Sequence, residues 1–80
     1  MQSPKISRTK ADLPYRFKLS ERELEVLTMI VEGRSNPEIG SALYLSTNTI
    51  KSHVNGILNK LGVNDRVQAA VFAVRNQLFH

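Results

Sequence analysis

The chain has 80 residues, of which 41% are hydrophobic and 22% are charged, values that are ordinary for one small globular domain. It contains no cysteine, only 2 histidines and no apolar run near the ~20 residues of a membrane span, so we expect no disulfide, metal, other cofactor or membrane anchor. The net charge of +4 favours an acidic partner, and the lack of an apolar signal core predicts a cytoplasmic protein.

Residues 1–18 are predicted to form a flexible basic arm before a folded domain over residues 19–80. The arm holds five lysines and arginines against Asp12, so it carries the whole net charge, and its apolar residues follow no helical or alternating period. We expect it to be disordered when free and to add nonspecific electrostatic attraction to an acidic partner, with a passive linker as the alternative.

The first predicted helix covers about residues 21–32. Ser20 and Glu23 have the spacing of a capping box, in which each side chain accepts a hydrogen bond from the other residue's backbone. Apolar residues then recur at helical spacing until Gly33, which favours a left-handed end.

The second predicted helix is short. Either Ser35 or Asn36 caps it, and Pro37 is tolerated in its first turn because the amide groups there have no helical partner. The helix is expected to end at about Leu43 or Tyr44, and the Tyr44 side chain is expected to pack against the protein.

The third predicted helix begins after Ser46, follows the second by a tight turn and ends at Gly62. Gly56 lies within this helix, where glycine costs about 1 kcal/mol relative to alanine. Either the backbone closely approaches a binding partner or a neighbouring helix at this residue, or the glycine is simply tolerated. The predicted buried stripe comprises Ile50, Val54, Ile57, Leu58 and Leu61.

A polar face lies opposite this stripe at ~100° per residue. Lysine can donate to guanine, asparagine can pair with adenine, and serine can donate or accept. The alternative is a solvated face, but such faces are usually rich in glutamate, and residues 43–64 contain no acid. Two helices joined by a tight turn, the second with such a face, predict a DNA-binding helix-turn-helix. The face comprises Asn48, Lys51, Ser52, Asn55 and Asn59.

A fourth helix is predicted after Asp65, with Gln68 as its capping partner. It has more apolar residues than one core can accept. We expect one set to be buried, namely Val67, Ala70, Val71, Val74 and Leu78. The second set would then form a dimer contact, namely Ala69, Phe72, Ala73 and Phe79.

Spaced motifs over residues 19–80 make the chain resemble the LuxR-type (GerE-like or NarL-like) helix-turn-helix domain of bacterial transcription regulators. The pattern opens with Leu19-Ser20-Glu21-Arg22-Glu23 and continues with Val26-Leu27, Gly33, Ser35-Asn36, Glu38-Ile39, Leu45-Ser46, Thr49-Ile50-Lys51, His53-Val54, Ile57, Lys60-Leu61, Asp65-Arg66 and Gln68-Ala69-Ala70. The resemblance implies an all-α, four-helix fold and sequence-specific binding of double-stranded DNA in transcription regulation.

The resemblance also assigns roles to individual residues. Base contacts are implied for Lys51, Ser52 and Asn55, and the presence of asparagine where many relatives have Lys or Arg shifts the expected base preference towards adenine. His53 has a structural role as its alternative. Phosphate contacts are implied for Ser35, Asn36, Thr47, Thr49, His53, Lys60 and Arg66.

In LuxR-like domains the last helix pairs with its twin. A dimer on an inverted repeat is therefore expected, weak when free and strengthened on DNA, with RNA polymerase as a further candidate partner. The chain would be associated with the bacterial nucleoid when bound. It would be either a stand-alone regulator or the output domain of a longer one, such as a response regulator.

Two other functions stay open at the level of sequence. One is a protein-interaction or dimerisation module without DNA specificity, and the other is a polymerase factor similar to region 4 of a sigma factor. An enzyme is not expected, because the acids follow helix caps and solvated faces and no nucleophile triad or phosphate loop is present.

Overall fold

The computed structural model describes residues 19–78. Within that range there are four helices and no strand: α1 (Glu21–Val31), α2 (Asn36–Leu43), α3 (Thr47–Leu61) and α4 (Arg66–Asn76). The all-α, four-helix prediction is therefore confirmed, with each predicted helix present. None of the helices described is long and apolar enough to cross a membrane. The predicted arm and Phe79 lie outside the described residues.

The serine caps predicted from local spacing are present. Ser20 Oγ accepts from the Glu23 amide at 3.0 Å, and Glu23 Oε1 accepts from the Ser20 amide at 2.9 Å. Of the two candidates for α2, Ser35 is the cap, and it forms the same reciprocal pair with Glu38. Both capping boxes satisfy amide groups that would otherwise lack a partner at a helix start.

A tight turn sets α2 against α3. The Leu45 amide donates to the Gly40 carbonyl at 2.9 Å, and a Cβ at position 40 would lie 2.5 Å from the Leu45 carbonyl oxygen. Only glycine therefore permits this approach of the two backbone segments. Tyr44 adopts a left-handed conformation (φ 59°) and is 93% exposed, so the expectation that it packs is wrong.

The core is formed mainly by α1, α3 and α4, while α2 packs on α3 and contributes Ile39 to the core. Leu19 precedes α1 and Leu78 follows α4, and both side chains are buried in the core. From α3, four of the five predicted stripe residues are buried and Leu58 is partly buried. The buried hydrophobic residues are Leu19, Leu24, Val26, Leu27, Ile30, Ile39, Ile50, Val54, Ile57, Leu61, Ala69, Ala73 and Leu78.

The face of α4 that meets the core is not the one predicted. Val67, Val71 and Val74, predicted to be buried, are between 46% and 69% exposed. Ala69 and Ala73, predicted to be available for a dimer contact, are fully buried. The prediction that Ala69 and Ala73 form a dimer interface is therefore wrong, because their side chains have no surface to offer a partner.

The other residues in those two predicted sets divide between core and surface. Leu78 is buried as predicted, and Ala70 is partly buried. Phe72, predicted for the dimer contact, is partly buried and packs against the core. Phe72 therefore contributes to the core, which the predicted division of α4 into a buried set and a contact set did not foresee.

The reversal has a steric reason. Helix α4 packs against both α1 and α3. Ala69 and Ala73 are spaced i and i+4, so their small side chains share the face that meets these two helices. Methyl groups there allow the α4 backbone to come close to its neighbours, whereas valines on the same face would hold it away.

Candidate nucleic-acid interface

The polar face of α3 is exposed as predicted. Lys51, Ser52 and Asn55 lie together on the outside of the helix, with Asn48 and Asn59 also exposed. Burial of the opposite side of α3 in the core fixes which residues point outward. The polar face therefore offers donors and acceptors to solvent on a helix whose back is held by packing.

The start of α3 is held by its own cap. Ser46 Oγ accepts from the Thr49 amide at 3.1 Å and is also 2.9 Å from Thr49 Oγ1. Thr47, the first residue of the helix, is exposed beside this cap, and so is Thr49. Both threonines predicted as phosphate contacts thus lie at the positive end of the helix dipole.

The charged residues along the polar face are all basic. Residues 44–64 contain Lys51 and Lys60 and no acid, and the nearest acids along the chain are Glu38 and Asp65. A face of this kind can approach phosphates without repulsion from carboxylates of its own helix. The arrangement is chemically suited to a polyanion with hydrogen-bonding groups on its bases.

Lys60, predicted as a phosphate contact, has a partner inside the protein. Its Nζ lies 2.8 Å from Glu23 Oε1, so it joins the last turn of α3 to the first turn of α1. Burial would raise the pKa of Glu23, but hydrogen bonds from Lys60 and the Ser20 backbone, together with the Lys60 charge, hold that pKa below 4.5. Glu23 is therefore a carboxylate that caps one helix and anchors another.

Gly56 lies where this carboxylate meets α3. A Cβ at position 56 would be 3.1 Å from Glu23 Oε2. The mid-helix glycine therefore marks the close approach of a neighbouring helix, one of the explanations that the sequence left open. The sequence did contain a sign of this contact, although it did not identify Glu23 as the partner.

Arg66 and Asn36, both predicted as phosphate contacts, bond to each other. Arg66 is the first residue of α4, and one terminal nitrogen of its guanidinium donates to Asn36 Oδ1. The other terminal nitrogen donates to the Arg34 carbonyl at 2.8 Å. The start of α4 is thereby connected to the start of α2.

Two further predicted site residues, Ser35 and His53, lie near the surface. Ser35 is exposed, and its Oγ accepts from the Glu38 amide, so its hydroxyl hydrogen points elsewhere. His53 is half-buried on α3. Among residues 19–78, no three His, Asp or Glu side chains come together as a metal site would require.

A second exposed surface lies on α4. Val67, Val71 and Val74 are spaced i, i+4 and i+7, so they form one apolar stripe along the helix. We call these three residues the valine stripe. Among the described residues, it takes the place of Ala69 and Ala73 as the apolar surface that α4 leaves uncovered.

Comparison with known proteins gives one family. The model of the bacterial regulatory proteins of the luxR family matches residues 18–73. Transcriptional regulatory protein LiaR of Bacillus subtilis (strain 168) is 53% identical over 60 residues, which are 75% of this chain and 28% of LiaR.

Two further relatives give the same picture. Transcriptional regulatory protein DegU of Brevibacillus brevis is 52% identical over 58 residues, 72% of this chain and 25% of DegU. Response regulator protein VraR of Staphylococcus aureus (strain NCTC 8325 / PS 47) is 48% identical over 60 residues, 75% of this chain and 29% of VraR. The chain thus spans less than a third of the length of these relatives.

Proposed function

The chain belongs to the luxR family of bacterial regulatory proteins, and we propose that it binds double-stranded DNA in transcription regulation by placing α3 in the major groove. The observation that carries this proposal is the exposed, acid-free polar face on a helix whose opposite side is buried. A regulatory family agrees with the expectation that the chain is not an enzyme. We further propose that it serves as the DNA-binding output part of a regulator similar to VraR.

Three side chains would supply base recognition. Lys51 can donate to O6 and N7 of guanine, and Asn55 can pair with N6 and N7 of adenine. Ser52 can donate or accept beside them. All three are exposed on the outside of α3, as contact with base edges requires.

Phosphate contacts would fix the position of α3 in the groove. Ser35, Thr47 and Thr49 are exposed at the starts of α2 and α3, where helix dipoles favour an anion. His53, half-buried on α3, remains a candidate. The +4 charge of residues 1–18 would add attraction that depends on salt.

The test is a binding selection with the 80-residue chain on a random duplex library, followed by titrations of the selected duplex and a scrambled one. Lys51→Ala and Asn55→Ala should each cost about 1 to 3 kcal/mol on the selected duplex and little on the scrambled one. Arg22→Ala, which removes an exposed cation from α1, is the charge control. Equal losses on both duplexes would contradict base recognition by α3.

We also propose that two copies pair through the valine stripe. An exposed apolar stripe on the last helix supports this, and pairing would place two α3 helices about one DNA turn, 10 to 10.5 bp, apart on an inverted repeat. Two short helices bury less than the roughly 1,200 Å² of a stable interface, so the free chain should be mostly monomeric.

Val71→Glu tests the pairing. It should abolish cooperative binding to two half-sites and leave binding to one half-site unchanged, because a carboxylate in an apolar contact lacks a partner. Gln77→Glu adds the same charge just beyond α4 and should keep cooperativity. Cooperativity that survives Val71→Glu in a folded protein would rule out this interface.

A protein-interaction module without DNA specificity is the second candidate, since the valine stripe could also receive another protein. It predicts no DNA affinity that falls with salt. Titration of a scrambled duplex at two salt concentrations therefore separates the two functions.

A further inference from the structure

The two terminal guanidinium nitrogens of Arg66 both donate hydrogen bonds within the protein. One donates to Asn36 Oδ1 and the other to the Arg34 carbonyl. Each terminal nitrogen thus commits one of its N–H groups to the protein, so the end of the guanidinium, which could hold a phosphate by two parallel hydrogen bonds, already faces protein acceptors. A side chain that already uses both in this way is poorly placed to grip DNA, although its half-buried position keeps it near the surface.

We propose that Arg66 is a positioning residue that affects DNA binding through Asn36 and the first turn of α2, without touching DNA itself. This inference rests on the proposed function. It reassigns one of the predicted phosphate contacts to a role inside the protein.

The orientation of Asn36 follows from this contact. A guanidinium only donates hydrogen bonds, so the amide oxygen of Asn36 must face Arg66 and its NH₂ group must point away. Asn36 therefore has two donors left, and these are the groups with which it could contact a phosphate. The bond from Arg66 to Oδ1 thereby fixes the rotamer of Asn36.

The first turn of α2 needs such a support. Ser35, Pro37 and Glu38 are exposed there, and the main packing of α2 is against α3. The bond from Arg66 to the Arg34 carbonyl holds the backbone just before the cap, and the bond to Asn36 holds the first helical residue. Two bonds from one planar group fix both position and rotation.

The experiment measures binding of the 80-residue chain to a 30-bp duplex of mixed sequence over a range of KCl concentrations. Phosphate contacts act on every sequence, so no operator is needed. The variants are Arg66→Lys, Asn36→Ala and the double variant. Arg66→Lys keeps the charge but offers one nitrogen in place of the fork. Arg22→Lys is the matched control, on an exposed arginine of α1 that pairs with Glu25.

We expect Arg66→Lys to weaken binding about threefold to tenfold with an unchanged salt slope, and Asn36→Ala to weaken it by a similar factor. The double variant should lose less than the product of the two single losses, because both changes break the bond between Arg66 and Asn36. Arg22→Lys should bind like the unmodified chain. Thermal unfolding followed by circular dichroism shows that each variant is folded at the assay temperature.

A second readout does not depend on DNA. The Ile39 amide donates to the Ser35 carbonyl at 2.9 Å in the first turn of α2. Its hydrogen exchange should become about threefold to tenfold faster in Arg66→Lys and stay unchanged in Arg22→Lys.

The outcomes separate the two proposals. If the unmodified chain shows no salt-dependent DNA binding, the proposed function fails, and unchanged exchange at Ile39 would overturn the support of α2 independently. If the unmodified chain binds but Arg66→Lys binds within about twofold of it, Arg66 is a simple charge contact and the inference is overturned. Multiplying losses in the double variant would also overturn it.

Discussion

Helices α3 and α4 are both amphipathic, but they bury apolar residues of different size. In α3 the large residues, such as Ile50 and Ile57, face the core, and polar residues face outward. In α4 the small residues Ala69 and Ala73 face the core, and the valine stripe faces outward. Hydrophobic character therefore identifies the inner face of α3 but not that of α4.

The two helices differ in the number of apolar faces that they present. A helix with one apolar face has one partner, the core, and exposes groups suited to a polar ligand. A helix with two apolar faces has a second surface to cover. On α4 the close neighbours α1 and α3 accept the smaller residues, and the larger ones are left exposed.

The largest expected effect comes from the same substitution made on the two helices. Val54→Ala in α3 should lower the free energy of unfolding by about 2 to 3 kcal/mol, because Val54 is 6% exposed and its removal leaves a cavity. Val67→Ala in α4 should change it by less than about 0.5 kcal/mol, because Val67 is exposed.

Urea unfolding followed by circular dichroism measures both variants. A loss of 2 kcal/mol or so in Val67→Ala would mean that the outer face of α4 is buried within a single chain in solution. It would remove the contrast between the two helices.

The next effect tests how tightly α4 is packed. Ala73→Val should cost about 1 to 2 kcal/mol, since two methyl groups must enter a contact where Ala73 is fully buried. Ala42→Val, on the exposed side of α2, should cost only a few tenths of a kcal/mol through helix propensity. Similar stability of the two variants in thermal unfolding would show that α4 can move away from its neighbours at little cost.

The parts of the fold that depend on local spacing could be predicted from the sequence. A capping box is complete within four residues, so the pairing of Ser20 with Glu23 could be predicted from their spacing alone. The buried stripe of α3 could be predicted because its opposite face is polar. The inner face of α4 could not, because periodicity shows two apolar faces and only the neighbouring helices decide between them.

The candidate site follows the same rule. Exposure of Lys51, Ser52 and Asn55 could be predicted from one helix alone. The partners of Lys60 and Arg66 could not, because they lie 37 and 30 residues away along the chain and no local pattern connects them. The sequence assigns a basic residue beside this surface as a phosphate contact, and only the fold shows that the residue also has a partner inside the protein.

A smaller effect is expected at Gly56, where α3 meets α1. Gly56→Ala gains about 1 kcal/mol of helix propensity, but its Cβ presses on a Glu23 carboxylate that Lys60 and Ser20 hold in place. We expect these effects nearly to cancel. In a Glu23→Ala background the full gain should return, so a double-mutant cycle should show a coupling of about 1 kcal/mol. Additive changes would mean that the carboxylate shifts without cost.

The smallest effect is the pH dependence of the contact between α1 and α3. The pKa of Glu23 is lowered below its ordinary value of 4.5, so the folded state binds this proton less readily than the unfolded state. The resulting stabilisation is fully present above the unfolded pKa and is lost as the pH falls from about 5 through the lower folded pKa. We expect roughly 0.5 kcal/mol, because Lys60 is partly exposed and its charge is screened.

Glu23→Gln isolates this contribution, since the amide keeps an oxygen for the Ser20 amide but loses the charge that attracts Lys60. The stability difference between the unmodified chain and Glu23→Gln should be constant from pH 7 to about pH 5.5 and should shrink towards pH 3. Glu25→Gln, on the exposed side of the same helix, is the control. If the unfolding free energies of the unmodified chain and Glu23→Gln stay parallel down to pH 3, the ion pair does not hold α3 against α1, and packing around Gly56 does so alone.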